Sequence, residues 1–281
     1  MGEPAVKGGG AAHRLRRELR LYLILRGAAL RAATQYRGNV LTTMLAGAAY
    51  QGSGFAFVWV LLHTFGTVAG WSLGQIAFLY GMRLLSHALW LVTMDGVGFS
   101  DVAIREGQLD RMLLRPANPL VQLATNTRSL MPFGDLSMAI LVFGIALTVA
   151  DVDWSPASVL FLVLAVIGGA LVEASVVVMI AGLSVRILDT WAFRLMMLDA
   201  FDTLGSYPLS IFGSGVQRTL TYVLPVAFVA FLPASVVLGR TGQLAVPAWL
   251  GYLTPVVGAA LFTLAYLFWK RQLRGYQGVG H

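Results

Sequence analysis

Seven ionisable residues, Arg83, His87, Asp95, Asp135, Glu173, Asp199 and Asp202, lie inside or at the ends of long apolar runs. A charged group in hydrocarbon must be paired, hydrated or used, so each is a candidate for work on a substrate. Arg83 and His87 are spaced i,i+4 and share a helix face. Glu173 follows Gly169 by one turn in "GGALVEAS", a small-residue step that lets another helix approach closely. Arg83 and Glu173 fall at similar depth and are expected to meet, either as a structural buried pair or as a polar patch on a substrate path. Asp199 and Asp202 follow Arg186, Asp189 and Arg194. With Asp95 they would make the inner mouth of a pathway acidic, which suits a cationic or amphiphilic substrate.

A second concentration of charge is "IREGQLDRMLLRPANPL" at 104–120. It reads as a helix over about 100–114, with Ser100 as N-cap and Asp101 in the first turn, where the helix dipole favours an anion. Pro116 and Pro119 stop it. The segment fits either a dock for a soluble partner or a solvated loop whose arginines bind lipid headgroups.

Other chemistries lack their residues. The only lysines, Lys7 and Lys270, follow no glycine-rich turn, so no P-loop for ATP is present. His13, His63, His87 and His281 show no metal-ligand spacing, and no metal or other cofactor is expected in this chain. The absence of cysteine removes disulfides and thiolate sites. "GSG" occurs at 52–54 and 213–215 without the glycine two residues before a nucleophilic serine, and reads as close helix packing. "DGVGFSDVAIREGQLD" at 95–110 departs in spacing from phospholipid-synthesising alcohol phosphotransferases and lacks their terminal aspartate pair.

The elements that must position these groups are membrane helices. Of 281 residues 57% are hydrophobic and 12% charged, too little polar surface for a soluble globule of this size. Spans are expected at about 40–64, 74–97, 129–150, 159–184, 192–213 and 248–269. The stretch 215–239 is long enough for a seventh, but Pro225 and Pro233 break it into two short helices dipping into the outer leaflet. Positive charge supports six. Eight Lys or Arg lie in 1–38, three in 98–120, two in 185–194 and three in 270–281, against Arg218 and Arg240 outside. Arg83 and Arg128 fall in or beside spans. A seventh crossing would place Lys270, Arg271 and Arg274 outside, against the positive-inside bias. Both termini are therefore expected in the cytoplasm, and the net charge of +7 records topology, not nucleic-acid binding. The first dozen residues read as disordered and 13–37 as an arginine-studded interfacial helix. The expected organisation is a tail and interfacial helix at 1–38 and one transmembrane domain at 39–281. The N-terminal stretch does not read as a cleaved signal peptide.

Four strings in order, "YRGNVL" at 36–41, "GWSLGQIAFLYG" at 70–81, "EGQLDRMLLRPANPL" at 106–120 and "YPLSIFGSGVQRTLTYVLPVAFVAFLPASVVLG" at 207–239, resemble bacterial ABC-two family transporter proteins. These are exporter permease subunits, and the resemblance runs from about residue 20 to 275. It implies the all-α type V exporter fold: an interfacial connecting helix, six spans, a coupling helix between spans two and three, and short outer-leaflet helices between five and six. It also implies a partner ATPase that holds ATP and Mg, a second identical or related permease, and the bacterial inner membrane. On this resemblance the chain is no enzyme itself. Asp101, Arg105, Glu106, Gln108, Asp110, Arg111, Arg115 and Pro116 would form the ATPase-coupling surface. The substrate path would take Arg83, His87, Asp95, Glu173, Asp199 and Asp202, and an outer gate Tyr207, Pro208, Pro225 and Pro233. Exported substrates would be hydrophobic or amphiphilic. An ion- or proton-coupled carrier using Arg83 and Glu173 and a non-transporting scaffold remain the other readings of the residues.

Overall fold

The computed structural model describes residues 11–35, 37–65, 67–126, 129–187, 189–276 and 278. Residues 1–10 of the first dozen, expected to be disordered, and Arg128 lie outside the described residues, while Ala11 and Ala12 open a helix. The described chain is helical: α1 Ala11–Ala33, α2 Arg37–Phe65, α3 Leu73–Met94, α4 Ser100–Arg105, α5 Gln108–Leu113, α6 Pro119–Ala124, α7 Met131–Val149, α8 Pro156–Ser184, α9 Trp191–Gly205, α10 Ser214–Tyr222, α11 Phe231–Val237, α12 Trp249–Tyr252 and α13 Thr254–Leu273.

Local signals start the long helices where the sequence breaks. Ser72 and Gln75 close a capping box ahead of α3, and Ser155 and Ser158 do the same for α8, whose first residue is Pro156. The long helices pack in the order α2, α7, α3, α8, α13, so α3 separates α7 from α8 although these are neighbours in sequence. Glycines permit the closest approaches. A Cβ on Gly81 would meet Phe143 Cα of α7 at 2.8 Å, and one on Gly168 would meet Thr254 O at 2.7 Å. Two apolar cores result. One joins α3, α7 and α8 to residues 226–234; the other joins Trp90, Ile104, Leu109 and Leu123 to Val177 and Trp269. On α8 the first contains Val172 and the second Ala174, so Glu173 sits where they meet.

Three helices, α7, α8 and the α3 rod running to Arg105, are long and apolar enough to cross a membrane, and a fourth if α10 and the 225–237 segment form one broken span. The remaining expected spans are weaker for physical reasons. The 15 residues of α9 reach only about 22 Å at ~1.5 Å per residue, short of a ~30 Å core. α2 carries Gln51 and Ser53, and α13 ends in Lys270 and Arg271. The 215–239 stretch is broken as expected, with a 76° bend. Pro225 opens a 3-10 turn and Pro233 lies in the first turn of α11, so both begin elements where a missing N–H costs little. The packing reading of "GSG" holds at 52–54, where Gly52 faces Met138 and Gly54 faces Tyr80, but not at 213–215, where both glycines face open space.

The charged segment is not one helix. A 3-10 turn, Asp95–Phe99, leads straight into α4, so Ser100 is helical and Phe99 takes the N-cap position expected of it; the Ser100 hydroxyl lies 3.4 Å from that of Ser184. Gly107, at φ +63°, breaks α4 from α5. An added Cβ there has Asp110 Oδ2 as its only near neighbour at 3.8 Å, so substitution is opposed by torsion, not space. Gly107→Val is expected to cost about 1–3 kcal/mol and Gly107→Asn much less, because asparagine tolerates the left-handed region. Thermal melts of the two variants in detergent check this.

α1 is lashed beneath this segment. Tyr22 Oη donates to Thr93 O at 2.9 Å, Arg26 donates to Asp95 Oδ1 at 3.1 Å and to Val92 O, and Arg17 donates to Pro116 O at 3.1 Å. Arg26 and Asp95 are both buried, so the tie is an ion pair within the protein and not a surface contact.

Candidate functional site

α3 presents Arg83, His87 and Trp90 along one face, at the i, i+4, i+7 spacing of a helical stripe. The expected Arg83–Glu173 pair is not formed. Arg83 Nη2 pairs with Asp202 Oδ1 on α9, and Glu173 lies one turn away, its Oε2 2.7 Å from His87 Nδ1 and accepting from Trp90 Nε1 at 2.7 Å. Arg83 and Glu173 are each 1% exposed, so these are buried charges whose partners fix them. Arg83 Nε and Glu173 Oε1 have no hydrogen-bond partner among the described residues.

Two cavities flank this cluster. A larger one of about 550 Å³ is lined by Tyr50 of α2, His87 and Leu91 of α3, and Leu195, Met196, Leu198, Asp199 and Asp202 of α9. A smaller one of about 270 Å³ continues past Gln51, Ser53 and Tyr80 to Thr203, Ser206 and Tyr207. They share Tyr50 and Asp202, so the Arg83–Asp202 pair holds the point where they meet. From Leu195 to Thr203 the pair of cavities follows α9 for about 12 Å at ~1.5 Å per residue.

Of the substrate-path candidates, His87, Asp199 and Asp202 line cavities, and Arg83 stands behind Asp202. Glu173 backs His87 without reaching either cavity. Asp95 departs from expectation: its carboxylate is held by Arg26 beneath α1 and belongs to the tie of that helix. Tyr207 lines the smaller cavity, while Pro208 precedes a 3-10 turn at Leu209–Ile211. Tyr50 and Trp90 were not anticipated. The available signal was a phenol and an indole N–H in apolar helices, which need partners when buried.

The coupling candidates divide by exposure. Asp101 is 1% exposed and pairs with Arg105 at 3.1 Å, so the docking surface expected to include it loses that carboxylate. Gln108 accepts from Asn126 at 3.0 Å and Asp110 is half-buried. Glu106, Arg111, Arg115 and Pro116 are exposed, beside Leu113 and a Leu114 that is 87% exposed. Asn118 caps α6 through Leu120 N and donates to Tyr266 Oη at 3.0 Å, tying the exit of the segment to α13. At the base, Arg194 lies over the Phe99 ring at 5.3 Å from its centroid.

Residues 48–280 match the family described as ABC-2 family transporter protein. The chain belongs to that family. It is therefore a multi-pass membrane protein and the permease component of an ABC-type transporter. No curated protein and no solved structure matches the chain. One of the four strings that resembled the family shows its physical roles plainly. In "GWSLGQIAFLYG" Trp71 is buried and donates to Gln243 Oε1 at 2.7 Å, Ser72 and Gln75 cap α3, and Gly81 admits α7.

Proposed function

We propose that this ABC-2 family protein is the membrane subunit of an ATP-driven exporter in a bacterial cytoplasmic membrane. Six crossings, α2, α3, α7, α8, α9 and α13, place both termini in the cytoplasm, with α10 and α11 in the outer leaflet. A separate ATPase holds ATP and Mg; this chain carries no nucleotide site. The permease acts as a dimer with an identical or related permease, in contact with membrane lipid. Its substrate is hydrophobic or amphiphilic and passes along α9.

The observation that carries this reading is the pair of cavities meeting at Asp202, between α2, α3 and α9. α9 makes few contacts with the rest of the chain, and its Trp191, Phe193 and Met196 are exposed. That leaves it free to shift against α3 when the coupling segment is pushed. The push would enter at Glu106, Arg111, Leu113, Leu114, Arg115 and Pro116 and pass through Arg105, which bridges Asp101 to Asp189 at 3.8 Å just ahead of α9.

The test is affinity purification of the tagged chain in mild detergent with mass spectrometry of what accompanies it. A P-loop ATPase is expected with the wild type and is expected to be lost from Arg111→Glu/Arg115→Glu, whose side chains are exposed and whose reversal leaves the fold intact. Retention of the ATPase by that variant would move the dock elsewhere. Absence of any ATPase from the wild type would favour an ion-coupled carrier or a scaffold.

A further inference from the structure

The charges around the larger cavity do not balance. Arg83 is taken by Asp202 and His87 by Glu173, which leaves Asp199. Asp199 lines the cavity one turn before Asp202 and has no ion-pair or hydrogen-bond partner among the described residues. Glu173 lies behind His87 and does not reach the cavity, so among the described residues Asp199 is the carboxylate of this lining that no side chain engages. Asp199 is exposed along the cavity, so its carboxylate is open to an incoming positive charge.

The rest of the lining fits a particular bearer of that charge. Tyr50 contributes an aromatic side chain to the same lining, and Leu91, Leu195, Met196 and Leu198 supply an apolar wall. A cation over an aromatic face gains attraction that grows as water is removed. An apolar body on the remaining wall gains from leaving water. An anion would face Asp199 with the nearest guanidinium already committed to Asp202.

We propose that the α9 cavity is a recognition site for lipophilic cations, an ammonium or other onium group on an apolar body, with Asp199 as the group that selects charge. The proposal rests on the exporter reading for its consequence, transport, but concerns binding by this chain alone. Asp199 is a binding residue here. Asp202 has a different task, holding Arg83.

The experiment uses the full chain in lipid nanodiscs and equilibrium dialysis with tetraphenylphosphonium and tetraphenylborate, two probes of one shape and opposite charge. The wild type is expected to bind the phosphonium saturably and the borate at least about tenfold more weakly. Asp199→Asn is expected to lose about tenfold or more in phosphonium affinity, and Asp199→Glu to restore most of it, with melting curves and oligomeric state unchanged. Equal binding of both probes, no saturable phosphonium binding, or wild-type affinity in Asp199→Asn would each overturn the proposal. So would an Asp199→Asn variant whose only change is dissociation of permease copies, since the carboxylate would then serve a subunit contact. ATPase co-purification, read on the same samples, separates the two readings. Phosphonium binding without an ATPase removes the exporter and keeps the site; an ATPase without phosphonium binding does the reverse.

Discussion

Asp202→Asn is expected to destabilise the protein by about 3–5 kcal/mol, the usual cost of removing one member of a buried ion pair. The asymmetry of the pair is what makes this prediction sharp. Arg83 is 1% exposed, while the Asp202 side chain is 33% exposed and opens onto both cavities. Neutralising Asp202 strands a guanidinium whose Nε already lacks an acceptor among the described residues. Neutralising Arg83 instead leaves a carboxylate that water in the cavities can reach. Arg83→Met should therefore cost clearly less than Asp202→Asn. The double variant should recover much of the loss, because it leaves no buried charge without its partner. Thermal denaturation of the four proteins in one detergent gives the cycle. Equal losses from the two single variants, or simple additivity in the double, would show that Arg83 does not depend on Asp202.

How this site was legible, and where it was not, follows from helix geometry. The Arg83 and His87 stripe could be read because i,i+4 spacing fixes a face regardless of what meets it. The partner could not, since hydropathy estimates depth only to within a few residues and gives no rotation about the axis. One turn of α3 is enough to exchange partners: α9 meets the Arg83 turn through Asp202, and α8 meets the His87 and Trp90 turns through Glu173. The cytoplasmic segment shows the same limit. Its charge and its prolines were plain, but the dipole argument that placed Asp101 in a first helical turn said nothing of Arg105, which draws it inward. The break at Gly107 is a matter of one φ angle in an otherwise helical run. Asp95 was grouped with the path by its depth, when what decides its role is an arginine from α1, sixty-nine positions earlier. The fold fared better where a single signal suffices. The apolar lengths gave α7 and α8, and the two prolines gave the bend after α10. Two of the spans that look weak, α2 and α9, line the cavities beside α3 and carry polar residues there.

Gly168→Val is expected to be strongly damaging to the bundle. α8 and α13 form the most extensive helix pair in the protein, and they cross with Gly168 against Gly258. A Cβ on Gly168 would lie 2.7 Å from Thr254 O and 2.8 Å from Pro255 Cα, and one on Gly258 would strike Gly168 O. These neighbours are backbone atoms, so no rotamer change relieves the clash and the helices must part. Parting them has two consequences. Overpacking alone costs about 1–3 kcal/mol, occasionally more, and a branched side chain at a backbone contact belongs at the upper end. Moving α13 also unseats Trp269 and Ala265 from the second core and pulls on Asn118, whose amide is held by Tyr266. The damage should therefore reach the coupling segment, more than twenty positions away from either glycine in sequence. Gly144→Val on α7 is the control, because nothing lies within 4 Å of the added carbon there. It should melt near the wild type and retain its ATPase partner, while Gly168→Val melts early and releases it. If both variants behave alike, close packing of α8 on α13 is not what holds the coupling segment in place, and the ties from α1 through Arg17, Tyr22 and Arg26 must carry that load alone.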